Sequence, residues 1–251
     1  MADQDPYSVH YFILLDRLYE TLDRRLNNKW KREVTKASGL FWGCCANKDK
    51  LKDLWEERLG VALNLATAIQ YLHGNGIIYR DLKPDNIGFD LNGVVKLFDF
   101  GLAKDLTEET RVEDGLYQLT GNTGSLRYMA PEVSLDLLYD EKVDAYSSGI
   151  LLWQICDLSI PFPGFTRKKH SDLVIGKGER PRINSSWQPG LALLISNCWA
   201  MDGYTRPDFG RIVIALEEEI QILRYSSDED GDSKKASRHS DLGKKYDAAI
   251  V

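Results

Sequence analysis

Two carboxylates, an amide and a lysine lie close together in two short polar stretches of the chain. The first stretch, 77–86, reads IIYRDLKPDN and contains Asp81, Lys83 and Asn86; the second, DFG, begins with Asp99. Phosphoryl transfer needs a base at the acceptor hydroxyl, cations at the phosphate oxygens, and ligands that hold those cations. These side chains could supply that set, whereas a solvated turn is the alternative interpretation.

A predicted β-hairpin connects the two polar stretches. Asn92-Gly93 separates an apolar run over 87–90 from another over 94–98. Asn-Gly between apolar runs is a strong hairpin signal because both residues tolerate positive φ. The hairpin should return Asp99 to the neighbourhood of Asp81, so we expect the two carboxylates to converge.

Most of the remaining pattern is helical, which predicts an α+β chain with a mainly helical body. Apolar residues at spacings of three and four predict an amphipathic helix over 54–73. Further helices are predicted at 144–158, around 191–198, and at 209–223 with Pro207 in its first turn. A strand is expected over 8–15 and a short helix within 19–26. Gly74-Asn75-Gly76 follows a helix and precedes a strand, which is the reverse of the dinucleotide-binding order, so we interpret it as a helix end.

A basic stretch interrupts this pattern between residues 29 and 56. Seven lysine and arginine residues lie around the apolar run LFWGCC at 40–45. We interpret 29–56 as a surface insertion. It could bind acidic lipid or a partner protein, but a solvated loop whose apolar knot packs on its own domain is the favoured alternative.

Composition limits the class of protein. With 251 residues and 43% hydrophobic content, the chain can bury one sizeable core or two lobes. A net charge of -6 argues against a general nucleic-acid binder. Four irregularly spaced cysteines favour free thiols in a reducing compartment, so we expect an intracellular, cytoplasmic protein. The sequence predicts no membrane span, and its polar composition predicts disorder over 225–251.

Three ordered motifs resemble those of the eukaryotic protein kinases. Tyr79-Arg80-Asp81 resembles their H-R-D motif with Tyr in place of His, 99–101 is D-F-G, and 130–132 is A-P-E. The resemblance implies a protein-kinase-like fold with a nearly complete helical large lobe. Lys83 and Ser125 are similar to the serine/threonine type, and GSLRYMAPEV at 124–133 resembles the tyrosine-kinase-like group.

The resemblance also implies roles for the site residues. Asp81 is expected to be the catalytic base, and Lys83 to steady the transferred phosphoryl group. Asn86 and Asp99 are expected to hold magnesium, for which oxygen ligands are suitable. The ATP-binding residues implied are Leu15, Asp16, Leu18, Lys83, Asn86 and Asp99, with Leu15 as gatekeeper.

Other residues gain supporting roles by the same resemblance. Arg80 is expected to pair with a phosphate on the segment between Asp99 and Glu132. The candidates in that segment are five hydroxyl residues, and the sequence does not distinguish among Thr107, Thr110, Tyr117, Thr120 and Thr123. Glu132 and Arg206 are expected to form an ion pair, and Asp144 to hold the backbone of the catalytic loop.

The resemblance covers about residues 8–223 and departs from the family in two places. No glycine occurs before Gly39 and no lysine before Lys29. We therefore expect 1–15 to be a remnant of the small lobe, with its last strands only, and 16–224 to be the large lobe. Gly88 stands where the family usually has an apolar residue under the adenine.

The expected function is a protein serine/threonine kinase that uses ATP and Mg, acts on a protein substrate, and is truncated as given. On its own, such a chain should turn over slowly. The alternative is a catalytically inactive, kinase-like binding module. An unrelated helical interaction protein is a third possibility, which the three ordered motifs disfavour.

Overall fold

The computed structural model of the chain describes residues 17–39 and 46–225. Within these residues, eight α-helices and five short strands confirm the predicted α+β, mainly helical architecture. The strand predicted over 8–15, the apolar knot at 40–45 and the tail from 226 onward lie outside the described residues. Tyr225, which the sequence assigned to the tail, is the last residue of a helix.

A helical run follows the first short strand. Strand β1 (Glu20–Thr21) leads into α1 (Leu22–Arg24), a π-helical segment (Arg25–Trp30) and α2 (Lys31–Ala37). The Thr21 hydroxyl accepts a hydrogen bond from the Arg24 amide, as an N-cap residue does. The short helix expected within 19–26 is therefore the beginning of a longer run.

The prediction of an irregular surface insertion over 29–56 is wrong for most of that range. Leu22, Leu26 and Trp30 recur at a spacing of four and are almost fully buried, so 22–37 is an amphipathic helical run. The ammonium of Lys29 lies 2.7 Å from a Glu57 carboxylate oxygen. The basic composition concealed this pattern, because Lys31, Arg32 and Lys36 are exposed on the outer face and Lys29 pairs with an acid of the next helix.

The long helix α3 (Lys48–Gly74) begins six residues before its predicted start. The Asn47 side chain accepts a hydrogen bond from the Lys50 amide at 2.9 Å and caps its N-terminus. Gly76 has a φ of 71°, which favours glycine. The interpretation of 74–76 as a helix end is confirmed.

Five short strands lie on either side of the polar loop. They are β1, β2 (Ile77–Ile78), β3 (Ile87–Phe89), β4 (Val95–Leu97) and β5 (Lys104–Asp105). Strands β3 and β4 pair antiparallel in the predicted hairpin, and β1 pairs with the other edge of β3. Strand β2 pairs antiparallel with β5. The polar residues from Tyr79 onward therefore follow the paired strand β2, and Asp99 follows the β3–β4 hairpin.

The C-terminal half contains the helical core. Its helices are α4 (Pro131–Ser134), α5 (Lys142–Asp157), α6 (Arg167–His170), α7 (Pro189–Cys198) and α8 (Phe209–Tyr225). Helix α5 is buried along nearly its whole length, as its apolar sequence predicts. None of the helices in the described residues combines the length and apolar character that crossing a bilayer requires.

Helix α8 begins at Phe209, the first residue of the predicted range, but the predicted place of Pro207 is wrong. Pro207 does not lie in its first turn, because the helix begins at Phe209. The Asp208 carboxylate accepts a hydrogen bond from the Arg211 amide at 2.8 Å, which identifies Asp208 as the N-cap. Pro207 therefore precedes the cap.

Candidate active site

The backbone of the polar loop is held by a buried carboxylate on α5. Asp144 is fully buried, and its two oxygens accept hydrogen bonds from the amides of Tyr79 and Arg80, both at 2.8 Å. The predicted role of Asp144 as the acid that holds this loop is confirmed. His73, at the end of α3, contacts the same carboxylate at 2.9 Å. The sequence reasoning missed His73, because a histidine near a helix end carries no distinguishing signal.

Four hydrogen-bond donors surround the Asp81 carboxylate, which is 7% exposed. One oxygen accepts from the Lys83 ammonium at 2.6 Å and from the Asn86 amide group at 2.8 Å. The other oxygen accepts from the backbone amide and the hydroxyl of Ser125, both at 3.0 Å. The structure therefore brings together three of the predicted catalytic residues and adds Ser125 as a direct partner of the carboxylate.

Asn86 and Asp99 present free oxygen atoms. The side-chain nitrogen of Asn86 donates to Asp81, which leaves its amide oxygen available. The Asp99 side chain is exposed, and the hydrogen bond recorded for it comes from the Gly101 amide at 3.3 Å. An amide oxygen and a carboxylate suit Mg²⁺, which keeps several waters and substrate oxygens as its other ligands. Within 17–39 and 46–225, no cluster of three or more acidic, His or Cys side chains that could hold a metal is found.

Two of the site residues have left-handed backbone conformations. Arg80 has a φ of 70° and Asp99 a φ of 62°. Non-glycine residues adopt this region at an energetic cost, and such residues cluster at functional sites. Arg80 precedes Asp81, whose side chain accepts four hydrogen bonds. Asp99 follows Phe98, whose carbonyl accepts a hydrogen bond from Tyr79.

Tyr79 links the two polar stretches. Its hydroxyl donates to the Phe98 carbonyl at 2.6 Å, and its ring packs edge-on against Phe100 at 5.4 Å between centroids. Burial raises the pKa of Tyr79, and the charges of Asp81, Asp99 and Asp144 raise it further. The contacts of Tyr79 with Phe98 and Phe100, on either side of Asp99, bring Asp99 into the neighbourhood of the loop that carries Asp81, as the sequence predicts.

The Arg80 side chain reaches the segment between Asp99 and Glu132. Its guanidinium donates to the Leu102 carbonyl at 2.6 Å, and to the hydroxyls of Thr120 and Tyr139 at 3.0 Å each. Of the five hydroxyl residues that the sequence left open, Thr120 is the one bonded to Arg80. Tyr139 is a partner that the sequence reasoning missed.

The residues expected to bind the nucleotide are only partly described. Leu15 and Asp16 lie outside the described residues. Leu18 packs against Gly88 on β3: a Cβ atom on that glycine would lie 2.7 Å from a Leu18 methyl carbon. The place of the side chain that Gly88 lacks is thus filled by Leu18.

The ion pair predicted between Glu132 and Arg206 is confirmed. The guanidinium of Arg206 meets both Glu132 carboxylate oxygens, one of them at 2.9 Å. The Arg206 side chain is fully buried. The pair fixes α4, at the end of the segment that carries Thr120 and Ser125, to the loop that precedes α8.

Comparisons with known proteins agree with this geometry. The protein kinase domain family matches residues 46–215. The serine/threonine/tyrosine-protein kinase HT1 of Arabidopsis thaliana is 39% identical over 67% of this chain and 42% of its own length. The Arabidopsis serine/threonine-protein kinases STY46 and STY17 are 38% and 37% identical over 70% and 68% of this chain. The chain spans only 29% and 28% of the length of those two relatives.

Proposed function

We propose, because the chain belongs to the protein kinase domain family, that it is a protein serine/threonine kinase that transfers the γ-phosphate of ATP to a Ser or Thr hydroxyl. Membership of the family implies ATP, a divalent metal ion and a protein substrate, and we propose magnesium as the metal. The observation that carries the proposal is the Asp81 carboxylate, bonded to Lys83, Asn86 and Ser125. The resemblance of 124–133 to the tyrosine-kinase-like group supports placing the chain there.

Asp81 is the base in this proposal. An ionised carboxylate only accepts hydrogen bonds, so it can orient a substrate hydroxyl and take its proton. The Ser125 hydroxyl, 3.0 Å from Asp81, can rotate away and leave one oxygen to the substrate. Lys83 and Asn86 hold the other oxygen, which keeps the carboxylate oriented.

Lys83 also carries the positive charge next to the transferred group. Its side chain is 21% exposed, so its ammonium can contact a phosphate oxygen without leaving Asp81. When bound, the magnesium ion neutralises charge on the phosphates. Asn86 and Asp99 are the proposed ligands, because their side-chain oxygens are not neutralised by a cation among the described residues.

A cytoplasmic location is also part of the proposal. Cys156 and Cys198 are free and fully buried, and burial raises the pKa of each thiol to about 12. Such thiols are unreactive core residues. They fit the predicted cytoplasmic location, where thiols stay reduced.

The test measures phosphate transfer by the full chain and by its Asp81→Asn variant. Because the sequence predicts slow turnover, the assay uses labelled ATP, magnesium and a high concentration of the chain with a mixed Ser/Thr peptide library. Loss of the base should lower turnover about 10²–10⁴-fold, while affinity for Mg-ATP stays within about twofold, because Asn is nearly isosteric with Asp.

Glu217→Gln is the matched control, since Glu217 is exposed on α8. Turnover of Asp81→Asn within threefold of the parent would contradict the role of Asp81. Binding of Mg-ATP without any transfer that depends on Asp81 would favour the kinase-like binding module instead.

A further inference from the structure

The C-terminal end of α8 lies beside the first turns of α3. Helix α8 ends at Tyr225, and the guanidinium of the preceding residue, Arg224, lies 2.6 Å from a Glu56 carboxylate oxygen. Lys48, Lys52 and Glu56 recur at a spacing of four in α3, so they share one face of that helix. The chain beyond α8 therefore starts at the end of a face that carries two lysines toward the N-terminus of α3.

A third lysine joins this face from α2. The Ala37 carbonyl accepts a hydrogen bond from the Asn47 amide at 2.8 Å, so Lys36 and Lys48 flank one backbone contact between the two helices. Lys36 and Lys48 are exposed, and Lys52 is half-buried. Within 17–39 and 46–225, none of these three lysines forms an ion pair. We call Lys36, Lys48 and Lys52 the lysine face.

The nearest acids do not neutralise the lysine face. Glu33 pairs with Lys50 at 3.2 Å, and Glu56 is already paired with α8. Asp49 and Asp53 each follow a lysine of the face by one residue, which turns them about 100° away around the helix. The lysine face therefore keeps its positive charge in a chain whose total charge is -6.

The residues that follow α8 carry the opposite charge. The stretch 226–232, which lies outside the described residues, reads SSDEDGD and contains four acids and no cation. Since a chain extends at most about 3.3–3.6 Å per residue, these acids can reach about 10–25 Å from Tyr225. Lys52 and Lys48 lie about 6 Å and about 12 Å from Glu56 along the axis of α3. All four acids are therefore within reach of the lysine face.

We propose that the acidic stretch 226–232 docks on the lysine face of its own chain. This inference goes beyond the proposed kinase function and does not depend on it. Tethering favours this occupant, because a short linker holds the acids at an effective concentration of about millimolar beside the lysines. An anionic membrane, the other occupant that a basic surface attracts, would have to displace the stretch.

Carbodiimide cross-linking of the full chain tests the proposal. The reagent couples a carboxylate to a lysine amine that is in direct contact with it, and mass spectrometry identifies the joined residues. We expect links from 228–232 to the lysine face at low salt. Their yield should fall at least about threefold at about 1 M salt, where the Debye length is about 3 Å. Lys168 and Lys169, which are exposed on α6, serve as internal controls and should not be linked to the stretch.

Lys48→Gln distinguishes docking from chance encounters of the tethered acids. An exposed ion pair contributes about threefold, so the loss of one pair should lower the yield of links to Lys36 and Lys52 about threefold. Lys168→Gln makes the same charge change on α6 and should leave both yields unchanged. Unchanged yields in Lys48→Gln would show that the acids meet each lysine at random, and the proposal would be wrong.

A vesicle assay examines the membrane as the alternative occupant. Sedimentation with vesicles of phosphatidylcholine and phosphatidylserine compares the parent with a variant in which the four acids of 228–232 are replaced by Asn or Gln. If the stretch covers the lysine face, the variant should bind about fivefold or more tightly, since each lysine near an anionic surface contributes about that factor. The matched control replaces four exposed acids elsewhere by Gln, and it should bind less tightly than the tail variant; these acids are Glu109, Glu179, Glu217 and Glu218.

Two results would overturn the proposal. One is the absence of links between 228–232 and the lysine face. The other is equal vesicle affinity of the tail variant and its matched control. Tight vesicle binding by the parent without such links would identify an anionic membrane as the occupant of the lysine face instead.

Discussion

The Tyr79 hydroxyl joins the catalytic loop to the residue before Asp99. It donates to the Phe98 carbonyl, and the Tyr79 side chain is fully buried. Tyr79→Phe keeps the ring and leaves that carbonyl without its partner, which costs about 1–3 kcal/mol when the group is buried. We expect a melting temperature lower by about 2–12 °C for a chain of this size. Differential scanning calorimetry measures the shift.

Tyr71→Phe is the control for that change, because Tyr71 is 63% exposed. Its melting temperature should match that of the parent. Equal melting temperatures for both variants would mean that the bond to Phe98 does not stabilise the loop.

His170 makes the stability depend on pH in a defined direction. Burial lowers its folded-state pKa from 6.5 to about 4, so between these values the unfolded chain binds a proton that the folded chain does not. Stability should therefore fall as the pH is lowered through this window, by up to about 1.4 kcal/mol per pH unit from this one group. His170→Phe should remove that contribution. Urea unfolding of the parent and of His170→Phe at pH 5 and pH 7 measures how the free energy of unfolding of each protein changes with pH. An equal change in both proteins would show that the imidazole is accessible to protons in the folded chain.

The contact between α5 and α7 depends on a glycine. A Cβ atom on Gly149 would lie 2.7 Å from the Cys198 Cβ and 3.2 Å from the Trp199 backbone nitrogen. Neither atom can move without the helix, so Gly149→Ala should be destabilised by overpacking, about 1–3 kcal/mol, in excess of the gain of about 1 kcal/mol in helix propensity.

Gly176→Ala is the control variant for Gly149→Ala. A Cβ atom on Gly176 would lie 3.5 Å from the Ser171 carbonyl oxygen, which is an ordinary contact. It should be neutral or stabilising in urea unfolding. If Gly149→Ala were as stable as the parent, the two helices would have to be able to separate by a few tenths of an ångström.

Local patterns predicted the elements with strong periodicity. The hairpin at Asn92-Gly93, helix α3 and helix α5 each follow from signals within a few residues. The helical run at 22–37 was missed because the lysines suggested a solvated segment. The pairing of Lys29 with Glu57 of α3 is a tertiary effect that the local sequence does not carry.

The residues of the site, like the elements of the fold, could be predicted only in part. Residues within the short motifs could be predicted, and the structure places Asp81, Lys83 and Asn86 in contact. Two further contacts of this loop come from distant parts of the chain: His73, at the end of α3, contacts Asp144, and Tyr139, before α5, bonds to Arg80. No local pattern identifies these residues, because their roles depend on how the helices pack.

At the scale of the whole molecule, Arg206 connects three parts of the fold. Its guanidinium pairs with Glu132 on α4, and donates to the Lys142 carbonyl at 3.2 Å and the Ala200 carbonyl at 2.9 Å. Its charge also lies over the ring of Tyr146, 5.1 Å from the centroid. A single buried cation thus joins the end of the segment beside Asp81 to the helical core.

Arg206→Met should therefore lower the stability of the whole fold. Removal of the cation leaves Glu132 and two carbonyls without their partner, and breaking a buried pair in this way costs about 3–5 kcal/mol. Arg211→Met is the control, because Arg211 is 80% exposed and its distance to Asp208 is 3.8 Å. Hydrogen exchange locates the effect: amides of 125–134 and 199–209 should exchange faster together in Arg206→Met, and in the control they should not. Faster exchange in only one of the two segments would show that the ion pair does not couple the site to the core.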